Sequence, residues 1–309
     1  MFAEIDKIKL FSENYSFRKN VFAFRGRVVF FIILLSFSSC RKDETIADNT
    51  APPDSTIEDV TITNYVNRVY ISVLGREPDS NEKNSGFSLL RGANLSSDSR
   101  SQFLDAVFSR PDYKDHLYTL ARINLLNNLD TVEIEEQLVT DSFALTITSD
   151  PNSLAIVNDQ IVHLDSMRAI PADLQNSHLD ATGMFKRCVY NYFYDQINMG
   201  TENFVKSVFQ NFLLRSPTAY ELAQSEQMID IGQPAILFLQ SGQSKTDFVN
   251  IFFSSSDYAE GIVLNLYQRY LSRTPSTSEM SSETQVFQMT HSYERVEKDI
   301  LSKDDYIFR

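Results

Sequence analysis

Residues 65–78 read YVNRVYISVLGREP, and the chain repeats this pattern twice, as FVKSVFQNFLLRSP at residues 204–217 and IVLNLYQRYLSRTP at residues 262–275. The first, second, fifth, sixth, ninth and tenth positions of each copy are apolar or aromatic, a spacing that places them on one stripe of an α-helix. The repeat therefore predicts an all-α protein, a helical repeat array, in which three related helices bury these stripes. The stripe residues that we expect in the core include Val69, Tyr70, Val208, Phe209, Leu266 and Tyr267.

Each stripe ends at Arg-x-Pro, and a proline cannot continue a helix but suits the start of the next one. The residues concerned are Arg76 with Pro78, Arg215 with Pro217, and Arg273 with Pro275. Gly75 favours a left-handed helix cap before the first arginine. Leu214 and Ser272 occupy the same position and adopt that conformation less readily, so we expect that the cap is not essential to the repeating unit.

A second apolar block closes each unit and ends in Asp-Tyr. It reads FLDAVFSRPDY at residues 103–113, FVNIFFSSSDY at residues 248–258 and, more loosely, VEKDILSKDDY at residues 296–306, where Glu297 interrupts the apolar pattern. Each unit is therefore predicted to comprise a first helix, an Arg-x-Pro turn, a middle helix and a closing helix. Such units stack their apolar stripes against their neighbours.

The blocks divide the body of the chain into three repeat units and one insertion. We predict unit 1 at residues 58–115, a helical insertion at residues 116–200, unit 2 at residues 201–260 and unit 3 at residues 261–309. Helical spacing of apolar residues within the insertion predicts helices at His116–Val139, Ser153–Met167 and Thr182–Ile197. No alternating pattern typical of β-strands is present.

The first copy resembles the family called domain of unknown function 4214, on Leu74–Pro78 and on the closure Ser109–Tyr113. The resemblance covers residues 62–113 well, residues 202–258 fairly and residues 262–306 weakly. That family consists of helical modules in secreted bacterial proteins and has no settled activity. The resemblance therefore implies a helical fold and secretion, but it does not indicate a catalytic activity.

The N-terminal region has the features of an export signal. Arg25 and Arg27 precede a short apolar run, Val28–Phe37, whose length is typical of a signal peptide. A membrane-spanning helix needs about 20 residues. Two serines end the run directly before Cys40, which resembles the lipobox of bacterial lipoproteins, in which the cysteine is lipidated and becomes the new N-terminus.

The lipobox resemblance implies a signal peptide at residues 1–39 and lipidation of Cys40. Residues 40–57 then form a flexible tether, since their later part is polar, contains two prolines and lacks periodicity. The charged tract Arg41–Glu44 resembles the surface-export signal of Bacteroidetes lipoproteins. We therefore expect a lipid-anchored protein of the outer membrane at the cell surface, with the periplasmic face as the alternative.

The net charge of the chain argues against one class of partner. The full chain has a net charge of −13, from 28 basic and 41 acidic residues, and the first 39 residues hold six of the former and three of the latter. Their removal leaves 22 basic against 38 acidic residues. A body this acidic repels phosphate backbones, so nucleic acid is not an expected partner.

The sequence contains no recognisable catalytic or metal-binding motif, and we predict no cofactor. The four histidines, at positions 116, 163, 178 and 291, have neither metal-ligand spacing nor a neighbouring cysteine cluster. Cys188, in an apolar-aromatic run, is expected to be a small buried hydrophobe. Arg76, Arg215 and Arg273 could each bind a carboxylate or sugar acid. Their recurrence at one position favours a structural role at the helix ends.

We therefore expect a non-catalytic protein-binding or scaffolding lipoprotein, whose partner is another envelope or extracellular protein. The insertion carries the acidic run Glu133–Glu136 and is the predicted contact surface. Two alternatives remain open. A glycan-binding lipoprotein would present an exposed row of aromatic rings, and the absence of Trp counts against it. A glycan-active enzyme would hold a carboxylate pair about 5–10 Å apart in a cleft.

Overall fold

Helices provide nearly all of the regular structure in residues 57–309, the part of the chain that the computed structural model describes. Unit 1 contains α1 (Asp59–Leu74), α2 (Ser80–Gly92), α3 (Ser97–Phe108) and α4 (Pro111–Leu125). The insertion contains α5 (Thr131–Ile147), α6 (Pro151–Arg168), α7 (Ile170–Gln175), α8 (Ala181–Val189) and α9 (Tyr192–Ile197). The all-α prediction is confirmed.

Units 2 and 3 follow the insertion. Unit 2 contains α10 (Thr201–Leu213), α11 (Ala219–Ile229), β1 (Ala235–Leu237), β2 (Gln240–Gly242) and α12 (Lys245–Ser254). Helix α13 (Ser256–Leu271) continues from the Asp-Tyr closure of unit 2 into the stripe of unit 3. Unit 3 then adds α14 (Thr277–Thr290), α15 (Tyr293–Leu301) and α16 (Asp304–Ile307). The predicted boundaries after residues 115 and 260 thus fall inside α4 and α13.

A short antiparallel hairpin in unit 2 was not expected from the sequence. Strands β1 and β2 pair Ala235 with Gly242 and Leu237 with Gln240. Its two turn residues, Phe238 and Leu239, have φ values of 48° and 62°. Three residues per strand are too few to produce a recognisable alternating pattern, which explains why the sequence did not reveal it.

The second helix of each unit begins with the same capping arrangement. The side chain of the N-cap residue accepts the backbone N–H of a glutamate three residues on, and that glutamate accepts the N-cap N–H. The pairs are Asp79 with Glu82, Thr218 with Glu221, and Ser276 with Glu279. Each repeat proline directly precedes this N-cap, so it stands just outside the helix rather than in its first turn.

The first helix of each unit ends at a residue in the left-handed conformation. The φ values are 71° at Gly75, 53° at Leu214 and 50° at Ser272. The cap therefore recurs in all three units, although its sequence variation suggested that it is not essential. Leucine and serine adopt the conformation less easily than glycine does, so the rest of the turn must hold them in it.

The predicted stripes form the centre of the core. All six stripe residues named above are buried, with at most 6% of the side chain exposed. Phe209 illustrates the packing, because its ring meets Phe252 edge-on at 5.3 Å and stacks beside Phe238 at 5.9 Å. The stripe prediction is confirmed.

Units 1 and 3 pack directly against each other, although the insertion and unit 2 separate them in sequence. Arg68 of α1 donates to the backbone carbonyls of Tyr306 and Ile307, at 2.7 Å each. The hydroxyl of Tyr65 donates to the carbonyl of Leu301 at 3.2 Å, and Lys298 pairs with Asp105 at 2.9 Å. The array therefore closes on itself instead of remaining open at both ends.

Candidate functional site

Each unit contains one arginine cluster, in which the arginine of Arg-x-Pro binds two carboxylates. Arg76 donates from both terminal nitrogens to Glu82, at 2.8 Å each, and pairs with Asp112 at 2.7 Å. The same contacts recur in Arg215 with Glu221 and Asp257, and in Arg273 with Glu279 and Asp305. The glutamate is the capping glutamate of the second helix, and the aspartate belongs to the Asp-Tyr closure.

An aromatic ring of the first helix completes each cluster. The guanidinium carbon lies 5.7 Å from the ring centre of Tyr70 in unit 1, 5.1 Å from Phe209 in unit 2 and 5.1 Å from Tyr267 in unit 3. A guanidinium over a ring in this range is attracted to its face. Each arginine therefore joins the first and second helices of its unit to the helix that begins at Asp-Tyr, directly after the closing helix.

The arginine clusters already contain the carboxylates that an external ligand would have to supply. Hydrogen bonds from Arg76 lower the pKa of the Glu82 carboxyl to about 2, and the pKa of Glu279 is lowered in the same way by Arg273. Beyond these carboxylates, each guanidinium donates to the carbonyl of the next residue in the chain. The glutamate partner could have been found in the sequence, because it stands six residues after the arginine in all three copies.

Of the two cysteines, only Cys188 lies among the described residues. Cys40, the predicted lipidation site, lies outside the described residues. Cys188 is completely buried on α8, and burial raises the pKa of its thiol to about 12. The prediction of a small buried hydrophobe is confirmed, since a thiol of this kind is not a nucleophile near neutral pH.

Glu297 is a buried carboxylate at the contact between units 1 and 3. Its side chain is 2% exposed, and it accepts hydrogen bonds from the hydroxyls of Tyr113 at 2.9 Å and of Tyr270. Burial raises the pKa of this carboxyl. The residue that interrupts the apolar pattern of unit 3 is thus accommodated by one tyrosine from each unit.

The histidines and acidic residues form no metal site in the described part of the chain. Within residues 57–309, no group of three or more His, Cys, Asp or Glu side chains is arranged to hold a metal ion. His163 contacts the ring of Tyr190 at 4.0 Å, and His178 and His291 line one shallow cavity of about 650 Å³. None of the helices in residues 57–309 has both the length and the apolar composition needed to cross a membrane.

Helices α5 and α6 of the insertion form an antiparallel pair that exposes an unusual amount of apolar side chain. One face of α5 carries four large hydrophobic residues that are each 59–70% exposed. They are Val132, Val139, Phe143 and Ile147. Their spacing of seven, four and four residues places them on a single stripe. The opposite face of α5 buries Ile134 and Leu138. We call the four exposed residues the α5 stripe.

The α5–α6 pair is strongly acidic as well. Residues 131–168 contain seven aspartates and glutamates but only one basic residue, Arg168, which pairs with Glu135 at 3.2 Å and with Asp165 at 2.6 Å. Glu135 and Glu136 flank the α5 stripe and line a shallow depression with Val132 and Val139. An exposed apolar stripe edged by carboxylates is the candidate functional site.

The chain was also compared with known proteins, and no family model, curated protein or solved structure matches it. The resemblance to domain of unknown function 4214 therefore remains a prediction that rests on the quoted residues.

Proposed function

We propose that the chain is a secreted bacterial lipoprotein, anchored in the outer membrane through Cys40 and exposed at the cell surface. Its α5 stripe docks a basic amphipathic helix of another envelope or extracellular protein, and it catalyses no reaction. The observation that carries the proposal is the exposed α5 stripe on an acidic helix pair.

The arrangement of the stripe, more than its size, supports docking. Single exposed hydrophobic residues are common on protein surfaces and need no explanation. Here four lie on one face of one helix, and α5 packs mainly against α6. A helix with apolar residues on both faces buries one against its own protein and offers the other to a partner.

Charge complementarity selects the kind of partner. Between residues 131 and 168 the carboxylates outnumber the basic side chains by seven to one. A partner helix with lysines or arginines beside its apolar residues would satisfy the stripe and its acidic edges together. An anionic lipid surface would be repelled by the same carboxylates. A second copy of α5 would bring acidic residues and no basic ones.

The glycan alternatives receive less support from this surface. Flat sugar rings bind against aromatic side chains, whereas the α5 stripe contains one ring, Phe143, and three aliphatic residues. Glu297, a buried acidic residue, hydrogen-bonds to two tyrosines and does not line the cavity beside His178 and His291. It therefore offers no approach for a glycosidic bond.

Site-specific crosslinking on the native cell surface tests the proposal. A photoreactive residue at Thr140, which is exposed beside the stripe, should crosslink a protein that binds through a basic helix. The purified partner should then bind Val139→Ser/Phe143→Ser at least about tenfold more weakly than the original chain. Glu136→Lys should slow association.

The matched control is Ile231→Ser/Leu239→Ser, which removes two exposed hydrophobic residues from unit 2, 63% and 98% exposed. It should bind the partner as well as the original chain does. Crosslinks that join two copies of the chain, or that capture only lipid or glycan, would overturn the proposal. Undiminished binding by Val139→Ser/Phe143→Ser would also overturn it. These substitutions are preferable to deleting residues 130–180, because that deletion removes the buried Leu164, Met167 and Ile170.

A further inference from the structure

A cavity of about 320 Å³ lies where all three units meet the insertion. Its wall includes Leu117 and Ala121 from α4 of unit 1, Phe185 from α8 of the insertion, and Phe212 from α10 of unit 2. Its volume is at the lower end of the range of about 300–1,000 Å³ for pockets that bind small molecules. Clefts between domains and between helices are common positions for such pockets.

Most of the wall is apolar, and it includes three aromatic rings. The rings of Phe185 and Phe212 meet edge-on with centres 5.4 Å apart, and Phe185 meets Tyr293 in the same way at 5.9 Å. Interlocked rings of this kind form a rigid wall. These rings would therefore accept a ligand with a flat or branched apolar group.

Three asparagines, Asn124, Asn211 and Asn265, add neutral polar groups to the wall. Asn265 uses its amide nitrogen to donate to the backbone carbonyls of Phe212 at 3.0 Å and Gly261 at 2.8 Å. The nitrogen of Asn211 donates to the hydroxyl of Tyr194 at 3.1 Å. These bonds do not use the side-chain carbonyl oxygens of Asn265 and Asn211, which can accept hydrogen bonds.

Arg269 is the single charged residue among the described residues that line the cavity. It donates to the backbone carbonyl of Ser72 at 3.1 Å, and its guanidinium carbon lies 5.0 Å from the ring centre of Tyr270. Glu297 is close enough for its charge to act on Arg269. Its two oxygens, however, accept the hydroxyls of Tyr113 and Tyr270. The arginines of the three clusters are bound by carboxylates, and Arg269 is thus held differently from them.

We infer that this cavity is a binding site for a small apolar carboxylate, with its hydrocarbon part against Phe185 and Phe212 and its carboxylate on Arg269. An aromatic or branched aliphatic acid fits the volume and the rings. Arg269 is exposed to solvent, and a guanidinium binds a carboxylate through short charge-assisted hydrogen bonds. The site is separate from the α5 stripe and does not depend on the proposed docking function.

The experiment compares a pair of ligands that differ only in charge, 3-phenylpropionate and its amide. Binding to the full chain, in solution and not attached to a membrane, is followed by calorimetry and by shifts in NMR spectra. The acid should bind, and the amide should bind at least about tenfold more weakly because it cannot form the ion pair. In Arg269→Gln the acid should lose this advantage and bind no better than the amide.

Two further variants separate the cavity from the rest of the surface. Ala121→Leu places added side-chain volume in the cavity wall and should abolish binding of both compounds. Arg295→Gln removes an exposed arginine that pairs with Asp299 at 3.1 Å, and it should leave binding unchanged. Equal affinity of the original chain for acid and amide would overturn the proposal. So would an absence of binding by every apolar acid of similar size at millimolar concentration, as for a cavity that holds only water.

Discussion

Arg76, Arg215 and Arg273 show what one residue does when it recurs at one position of a repeat. Each binds the capping glutamate of the second helix and the aspartate at the start of the helix that follows the closing helix, and each lies over a ring of the first helix. A single side chain thereby fixes the relative positions of three helices. The guanidinium fork binds both oxygens of the glutamate, which a lysine cannot do.

Replacing Arg215 should destabilise the protein more than its partial exposure suggests. Arg215→Ala leaves Glu221 without its main partner, and the expected loss is about 1–3 kcal/mol of unfolding free energy. Arg215→Lys should recover only part of it. Urea unfolding followed by circular dichroism measures the change. The matched control is Arg295→Ala, whose exposed pair with Asp299 should contribute less than about 0.5 kcal/mol. Equal effects of Arg215→Ala and Arg295→Ala would contradict the role of the cluster.

The arginine clusters also predict how stability depends on pH. The pKa of Glu82 is lowered from 4.5 to about 2, chiefly by its hydrogen bonds to Arg76. A carboxyl with a lowered pKa stabilises the fold above its unfolded pKa and loses that contribution as the pH falls through its folded pKa. The unfolding free energy should therefore decline as the pH falls from 4.5 to 2. The unfolding free energy of Glu82→Gln should decline less steeply over the same interval. Urea titrations across this interval test it, and parallel curves for the two proteins would contradict it.

Cys40 carries the prediction about the membrane anchor. If the lipobox resemblance is correct, Cys40→Ala removes the only acceptor for the lipid, and the protein is released or retained as a precursor. Metabolic labelling with a fatty-acid probe measures this directly, with Cys188→Ala as the matched control. Cys188→Ala should label normally, because that thiol is buried. Equal labelling of the original chain and Cys40→Ala would rule out lipidation at this position.

At the scale of the helix, the stripe predicts a large effect of truncating Phe209. This side chain is completely buried between Phe252 and Phe238. Phe209→Ala should cost about 3–5 kcal/mol of unfolding free energy, because it removes apolar contact and leaves a cavity. Thermal and urea unfolding measure the loss. Tyr220→Ala, at an exposed position of α11, should cost little. A loss below about 1 kcal/mol at Phe209 would show that the stripe is not tightly packed.

The sequence predicted some helices correctly and merged others. Apolar spacing identifies the first helix of each unit, because a stripe that must be buried leaves little freedom in composition. The same spacing continued across Leu126–Asp130 and predicted one helix where α4 and α5 stand. The chain turns there with φ values of 50° at Asn127 and 60° at Asn128. The predicted helix Thr182–Ile197 is likewise divided, because Asn191 caps α9. Local turn chemistry prevailed over periodicity in both places.

The candidate sites were harder to predict than the helices. The spacing of Val132, Val139 and Phe143 is that of any helix with an apolar face, and spacing alone does not tell whether a neighbouring helix covers that face. The acidic run beside them was the reason for predicting a contact surface in the insertion. The cavity could not be predicted, because Phe185, Phe212 and Arg269 come together only when distant parts of the chain pack.

At the scale of the whole molecule, the contact between units 1 and 3 makes the ends of the described chain depend on each other. Tyr306 of α16 is buried, and its ring meets those of Tyr65 at 6.1 Å and Tyr270 at 6.0 Å. Its hydroxyl lies 3.0 Å from that of Ser72 in α1. A short C-terminal helix thus packs against the first helix of unit 1.

Truncating Tyr306 should therefore weaken α1, more than 230 residues away in sequence. In Tyr306→Ala, amide hydrogen exchange should become faster in α1 as well as in α15 and α16, because these helices share one packed contact. The matched control is Phe308→Ala, two residues further on, whose side chain is 56% exposed. It should leave exchange in α1 unchanged. Faster exchange confined to α15 and α16 would show that the two units unfold independently.

Helix α13 restricts how a chain of this design can change by gene duplication. Its N-terminal end supplies Asp257 to the arginine cluster of unit 2, and its stripe is the first helix of unit 3. Neighbouring units therefore overlap, and neither can be copied or deleted as a separate block without breaking a continuous helix. Because units 1 and 3 also contact each other, an added unit would have to fit into a closed arrangement. Recombination is more easily tolerated in the α5–α6 pair, where most of one helix face contacts nothing else in the described chain.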